Sequence, residues 1–102
     1  MTKKKNQTPK KTNINAAIVH YNKGISLSAK GDLKGAIESY QQAINLNPDF
    51  AGAYYNIGNA FYGIDDLDAA IENYKQMIKL MPDYASAYYN MGIALYDKGN
   101  FA

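Results

Sequence analysis

The 34 residues AGAYYNIGNAFYGIDDLDAAIENYKQMIKLMPDY, Ala51–Tyr84, decide the fold, because the chain states them nearly three times. The preceding segment, Ala17–Phe50, agrees with them at 15 of 34 places, and the following one, Ala85–Ala102, at 8 of 18. Unrelated segments would share only a few places. The chain is therefore a repeat protein, whose unit buries its apolar face against copies of itself. The recurring residues are Tyr21/Tyr55/Tyr89, Asn22/Asn56/Asn90, Gly24/Gly58/Gly92, Ala36/Ala70, Tyr40/Tyr74 and Pro48/Pro82.

Each unit reads as two helices. Ile18–Lys30 carries apolar residues near helical spacing and stops at Gly31, a residue that readily takes the left-handed conformation closing a helix. Asp32 stands at the N-cap place of the next helix, where Leu33, Ala36, Ile37, Tyr40, Ala43 and Ile44 form an i, i+3, i+4, i+7 stripe. Pro48 ends that helix, and Asp49 is placed to cap the following one. The second unit gives Phe50–Gly63, a turn at Ile64–Asp66 with Asp65 in glycine's place, Leu67–Leu80, Pro82 and Asp83 as cap. A fifth helix, about Tyr84–Lys98, ends at Gly99.

Gly24, Gly58 and Gly92 fall inside helices, where glycine costs roughly 1 kcal/mol against alanine. Close approach of two helices would justify that cost, with Ala36 and Ala70 as the small residues expected opposite.

These places resemble the tetratricopeptide repeat: Gly and Ala at the helix crossing, Tyr on the second helix, Pro at the unit boundary. The resemblance covers residues 17–102. It implies an all-α, right-handed superhelical solenoid of antiparallel helix pairs, concave on the side of the first helices. About two and a half repeats are present (17–50, 51–84 and a partial 85–102), making a repeat domain over 16–102. His20 stands where the family usually has a bulky aromatic and Lys23 where it has Leu, so the array is expected to start here. Asn100-Phe101-Ala102 reads as the cap and first turn of a sixth helix, and the chain as a fragment or a reading frame cut short. Met91, Leu95 and Phe101 would then be left uncovered, a surface through which two copies of the chain could pair as a homodimer.

Composition excludes much. With 47% hydrophobic and 20% charged residues, the chain is a single small globular domain and not a disordered one. It has no cysteine and one histidine, His20, so thiolate metal sites, thiol nucleophiles and paired imidazoles are excluded. No cofactor is implied, and no apolar run approaches the roughly 18 residues of a membrane span. Lys3, Lys4, Lys5, Lys10 and Lys11 give residues 1–15 a charge of +5, while the rest holds six lysines against nine acids, 6 − 9 = −3. Residues 1–15 read as a disordered basic tail, a solubilising leader in the first instance. Without arginine or interleaved aromatics the tail does not read as a nucleic-acid site. The default setting is cytoplasmic.

Nothing in the chain reads as an enzyme. His20 falls at a packing position with no serine at a diagnostic spacing, and Asp65, Asp66 and Asp68 fit the cap and first turn of a helix better than a calcium loop. The binding signal is better. Asn22, Asn56 and Asn90 recur every 34 residues and would stack as a ladder on the inner face. An amide offers donor and acceptor side by side, which suits the peptide group of an extended chain. Tyr21, Tyr55 and Tyr89 precede the ladder, Tyr62 and Tyr96 lie further along the same helices, and Asn59 adds another amide. The ladder resembles the asparagine row of the repeat domain of O-linked N-acetylglucosamine transferases. Asparagine is also common at this place in tetratricopeptide repeats, ligand or no ligand. The chaperone-binding members of the family clamp a C-terminal carboxylate. Here only Asn56 fits that pattern, with Tyr21, Ile25, Ser86 and Asn90 in the other places, so no such chaperone partner is expected. The reading is a non-enzymatic module that binds an extended peptide segment of a protein partner on its concave face. Two alternatives stand beside it: the substrate-recruiting N-terminal arm of a larger transferase, and a scaffold without a groove ligand.

Overall fold

The computed structural model describes residues 9–99, with side chains from Asn13 onward. Among these residues five helices follow in order: α1 (Pro9–Ala29), α2 (Leu33–Leu46), α3 (Ala51–Gly63), α4 (Leu67–Leu80) and α5 (Ala85–Asp97). Each packs chiefly on the next in sequence, and α3 also touches α5. This is the all-α stack of antiparallel helix pairs that the 34-residue period implies.

The helix ends follow local chemistry. Gly31 and Gly99 take φ of 86° and 92°, and Asp65 takes 67°, the left-handed place that aspartate tolerates better than most residues. The Asp32 carboxylate accepts from the Gly35 N–H at 3.0 Å and that of Asp66 from the Ala69 N–H at 3.2 Å, each satisfying a free donor of a first turn.

Four expectations need correction. Residues 9–15, assigned to a disordered tail, form the start of α1, with Pro9 at the first helical position, where its missing N–H costs nothing. Residues 1–8 lie outside the described residues. Asp49 and Asp83 do not cap: Phe50 and Tyr84 hold the N-cap places of α3 and α5 and make no side-chain cap bond. The aromatic rings instead pack back on the first helix of their own unit, Phe50 lying 4.6 Å from Tyr21 and Tyr84 5.2 Å from Tyr55, centre to centre. The linking loops are tied by Tyr54 Oη donating to the Pro48 carbonyl (3.1 Å) and Tyr88 Oη to the Pro82 carbonyl (2.8 Å). His20 occupies the corresponding place of the first unit.

The third correction concerns the glycines. A Cβ on Gly24 would lie 2.5 Å from the Tyr40 ring, and one on Gly58 would lie 2.7 Å from that of Tyr74. The group that needs the space is therefore the second-helix tyrosine, not Ala36 or Ala70, although both alanines are fully buried. Tyr40 packs with Ala36, Ala53 and Ile57; Tyr74 packs with Ala70, Ile71 and Ala94. Ile57 is buried where its equivalent Lys23 is exposed. Met91 and Leu95, expected to be uncovered, are half-buried against the Tyr74 cluster because they face α4. The strongly exposed side chains of α5 are Tyr89 and Tyr96, at 71% and 64%. Phe101 lies outside the described residues.

Candidate binding groove

Successive residues leave a helix about 100° apart, so the recurring Tyr and Asn of each first helix point different ways. Tyr21 and Tyr55 turn into the seams between units. The Tyr21 ring lies 5.7 Å from that of Tyr40, and the Tyr55 ring 6.1 Å from that of Tyr74. Their hydroxyls reach across to the next unit. Asn56 Nδ2 donates to Tyr21 Oη at 3.1 Å, and Asn90 Nδ2 donates to Tyr55 Oη at 2.9 Å. Each ladder amide is thus held by the tyrosine of the preceding unit. Asn22 is exposed and stands outside this network, and Tyr89, the third tyrosine of the series, is exposed on α5.

Asn59 is the hub of the network. Its Oδ1 accepts from Tyr74 Oη at 2.6 Å and from Asn90 Nδ2 at 3.1 Å. Tyr62, one turn from Asn59 along α3, donates its hydroxyl to the Asp97 carboxylate of α5. Burial, and then the neighbouring Tyr55 and Tyr62, push the Tyr74 phenol up to about 12. Burial also raises Tyr40, with Tyr21 adding to it and a hydrogen bond from Asn56 offsetting part of it. The bond to Asp97 comes first among the causes that raise Tyr62. All three phenols are therefore neutral near pH 7 and keep a proton to donate.

These side chains floor two hollows along the first-helix face. The first, about 440 Å³, lies between α1 and α3 and is lined by Ile25, Ser28, Ala29, Leu33, Tyr40, Asn56, Asn59 and Ala60. The second, about 250 Å³, is lined by Asn59, Tyr62, Tyr74, Asn90 and Ile93. They repeat one another at 34 residues: Ile25 becomes Asn59, Ser28 becomes Tyr62, Tyr40 becomes Tyr74, Asn56 becomes Asn90 and Asn59 becomes Ile93. Asn59 belongs to both, so the hollows form one groove in two cells. Its walls are apolar and its polar groups are amides, phenols and the Ser28 hydroxyl; among the described residues no charged side chain lines either cell.

The sequence reading missed Tyr40 and Tyr74 as the groove floor, and Ile25 and Ile93 as its apolar walls. Spacing could have found the walls, since Ile25, Asn59 and Ile93 each stand three residues after a ladder asparagine and so share its face. Tyr96 is exposed and lines neither cell. Of the other candidates, His20 lines a separate hollow with Gln42, Asn45 and Leu46. The three acids have local tasks: Asp65 takes the left-handed turn, Asp66 caps α4, and Asp68 pairs with Lys98 at 2.7 Å. No group of three or more metal-ligating side chains converges among the described residues. No helix there is long and apolar enough to cross a membrane.

Comparison with known proteins gives the same architecture. The family model described as TPR repeat matches residues 27–65 and 64–99. No curated protein matches the chain. Among solved structures, the crystal structure of MamA is 33% identical with a TM-score of 0.81, covering 82% of this chain and 49% of that one. The chain thus spans about half the length of MamA. The Arabidopsis OM64 TPR domain (24% identical, TM-score 0.84) shares the fold over 86% of this chain and 73% of its own. The first TPR of Spaghetti (RPAP3), solved bound to the HSP90 peptide SRMEEVD, does so at 21% identity and TM-score 0.81, over 85% and 71%.

Proposed function

Since the chain belongs to the tetratricopeptide repeat family, whose members are generally protein–protein interaction modules, we propose that it takes up an extended peptide segment of a protein partner in the two-celled groove. The observation that carries this reading is the groove itself. It runs across the first helices of successive units, and its amides are held in place by tyrosines before any ligand arrives, which lowers the entropic cost of binding. Packed helices lie roughly 8–10 Å apart. An extended chain rises about 3.3 Å per residue, so it would cross from one helix to the next in about three residues. Ile25, Leu33 and Ile93 offer apolar contact to its side chains, and Asn56, Asn59 and Asn90 offer hydrogen bonds to its backbone. A peptide-bound structure with the same fold, the Spaghetti (RPAP3) domain, supports the use of the fold for peptides. The uncharged lining argues for a different peptide chemistry here, without a terminal carboxylate as its anchor.

The test is a selection. Peptides are drawn from a random library on the full chain, and their affinities are measured again on Asn56→Ala/Asn90→Ala. Loss of about 1–3 kcal/mol with unchanged helicity supports the groove. Affinity that survives the double substitution removes the ladder from the mechanism.

A further inference from the structure

An asparagine side chain has two N–H donors and one oxygen that accepts two hydrogen bonds. The internal network consumes these groups unequally. Asn90 Nδ2 donates to both Tyr55 Oη (2.9 Å) and Asn59 Oδ1 (3.1 Å), which uses both of its donors and leaves Oδ1 over. Asn56 Nδ2 donates one bond, to Tyr21 Oη (3.1 Å), which leaves its Oδ1 and its second N–H over. Asn59 is the reverse. Its oxygen is filled by Tyr74 Oη (2.6 Å) and Asn90 Nδ2, and both of its N–H groups remain. A direct bond between two amides enforces this opposition, since one must give what the other takes.

We infer that the three amides form an acceptor–donor–acceptor row, Asn56 Oδ1, Asn59 Nδ2 and Asn90 Oδ1, whose last two members are fixed by the Asn59–Asn90 bond; the row reads the N–H, C=O, N–H edge of an extended backbone and makes Asn59 the donor that sets the register of the bound segment. One edge of an extended chain shows the N–H and C=O of residue i and then the N–H of residue i+2, which answers this row group for group. A helical segment cannot answer it, because its backbone groups are spent inside the helix apart from those at its ends. The inference rests on the peptide-groove reading and refines it: the amides do not each present a donor and an acceptor, and inverting one would break the row.

The probe is an uncharged seven-residue peptide selected from a random library on the full chain, whose binding perturbs the amide shifts of α1, α3 and α5. It is remade as a series in which each backbone N–H in turn becomes an ester oxygen. Binding to the unaltered chain should fall about tenfold at two positions that stand two residues apart, and little elsewhere. Asn59→Asp is the matching change in the protein. Its carboxylate can still accept from Tyr74 and Asn90, so the melting temperature should hold, while the outward donor becomes an acceptor and affinity should drop at least tenfold. A groove-bound peptide with no such ester-sensitive pair, or undiminished binding by Asn59→Asp, overturns the inference and leaves the groove reading standing. If Asn59→Asp melts early, the ester series on the unaltered chain decides. If no selected peptide perturbs the groove helices, the peptide reading itself fails, and the row with it.

Discussion

Gly58 and Gly92 hold the same place in successive repeats, yet alanine should act on them with opposite sign. At either site the helix gains about 1 kcal/mol from the better helix former. At Gly92 nothing among the described residues lies within 4 Å of the added Cβ, so Gly92→Ala should keep most of that gain. At Gly58 the Cβ would lie 2.7, 2.8 and 3.1 Å from Cε1, Cδ1 and Cζ of Tyr74. That ring is 1% exposed and its hydroxyl is fixed on Asn59 at 2.6 Å, so it cannot step aside freely. Overpacking of this kind costs about 1–3 kcal/mol, and a displaced hydroxyl about 1 kcal/mol more. The net loss for Gly58→Ala, after the gain of about 1 kcal/mol in helix propensity, is then about 1–3 kcal/mol. For a domain of this size that is a fall of roughly 5–20 °C in melting temperature, against a rise of a few degrees for Gly92→Ala. Thermal and urea melts followed by far-UV circular dichroism measure both. Combining Gly58→Ala with Tyr74→Leu should cost less than the sum of the single changes by about 1 kcal/mol, because the smaller side chain frees the space. A Gly58→Ala chain that melts no lower than its parent, or a pair that shifts in the same direction, would refute the packing account.

Four further outcomes follow from the same contacts. Tyr55→Phe keeps the ring beside Tyr74 and Tyr84 but removes the acceptor for Asn90; stability should fall by about 1 kcal/mol in a urea melt, and peptide affinity should fall with it. The Tyr74 phenol sits at about 12 in the folded chain against an ordinary 10.0, so above pH 10 the unfolded chain loses its proton first. Stability present below pH 10 should therefore decline as pH rises towards 12, by at most about 3 kcal/mol from this group, and Tyr74→Phe should flatten that part of the pH profile. Asp68→Asn removes an exposed pair with Lys98 and should change stability by less than about 0.5 kcal/mol, least of all at high salt. Deleting residues 1–8, in which Met1 is the only large apolar side chain, should move the melting temperature by no more than about two degrees.

By itself the sequence determined the repeat, its period and nearly every helix end. Those features are local: Gly31, Asp65 and Gly99 mark left-handed residues, Asp32 and Asp66 cap within one turn, and the apolar stripe of Leu67–Leu80 has the helical period over its whole length. Recurrence at 34 residues also picked out Asn56 and Asn90 as inward-facing and Gly24 and Gly58 as places of close approach. Tertiary structure decided what each residue meets, because those partners stand 15 to 35 positions away and no local pattern encodes them. It placed Tyr40 and Tyr74 against the glycines where alanines were expected. It gave the N-cap places of α3 and α5 to Phe50 and Tyr84, where Asp49 and Asp83 were expected, and packed their rings on Tyr21 and Tyr55. It sent Tyr21 and Tyr55 to hold the amides from behind, and it made Asn59, one more amide in the sequence, the hub whose oxygen is spent inside the protein. A side chain's polarity is written in its residue type, but which of its polar atoms remains for a partner depends on which ones the fold has already used.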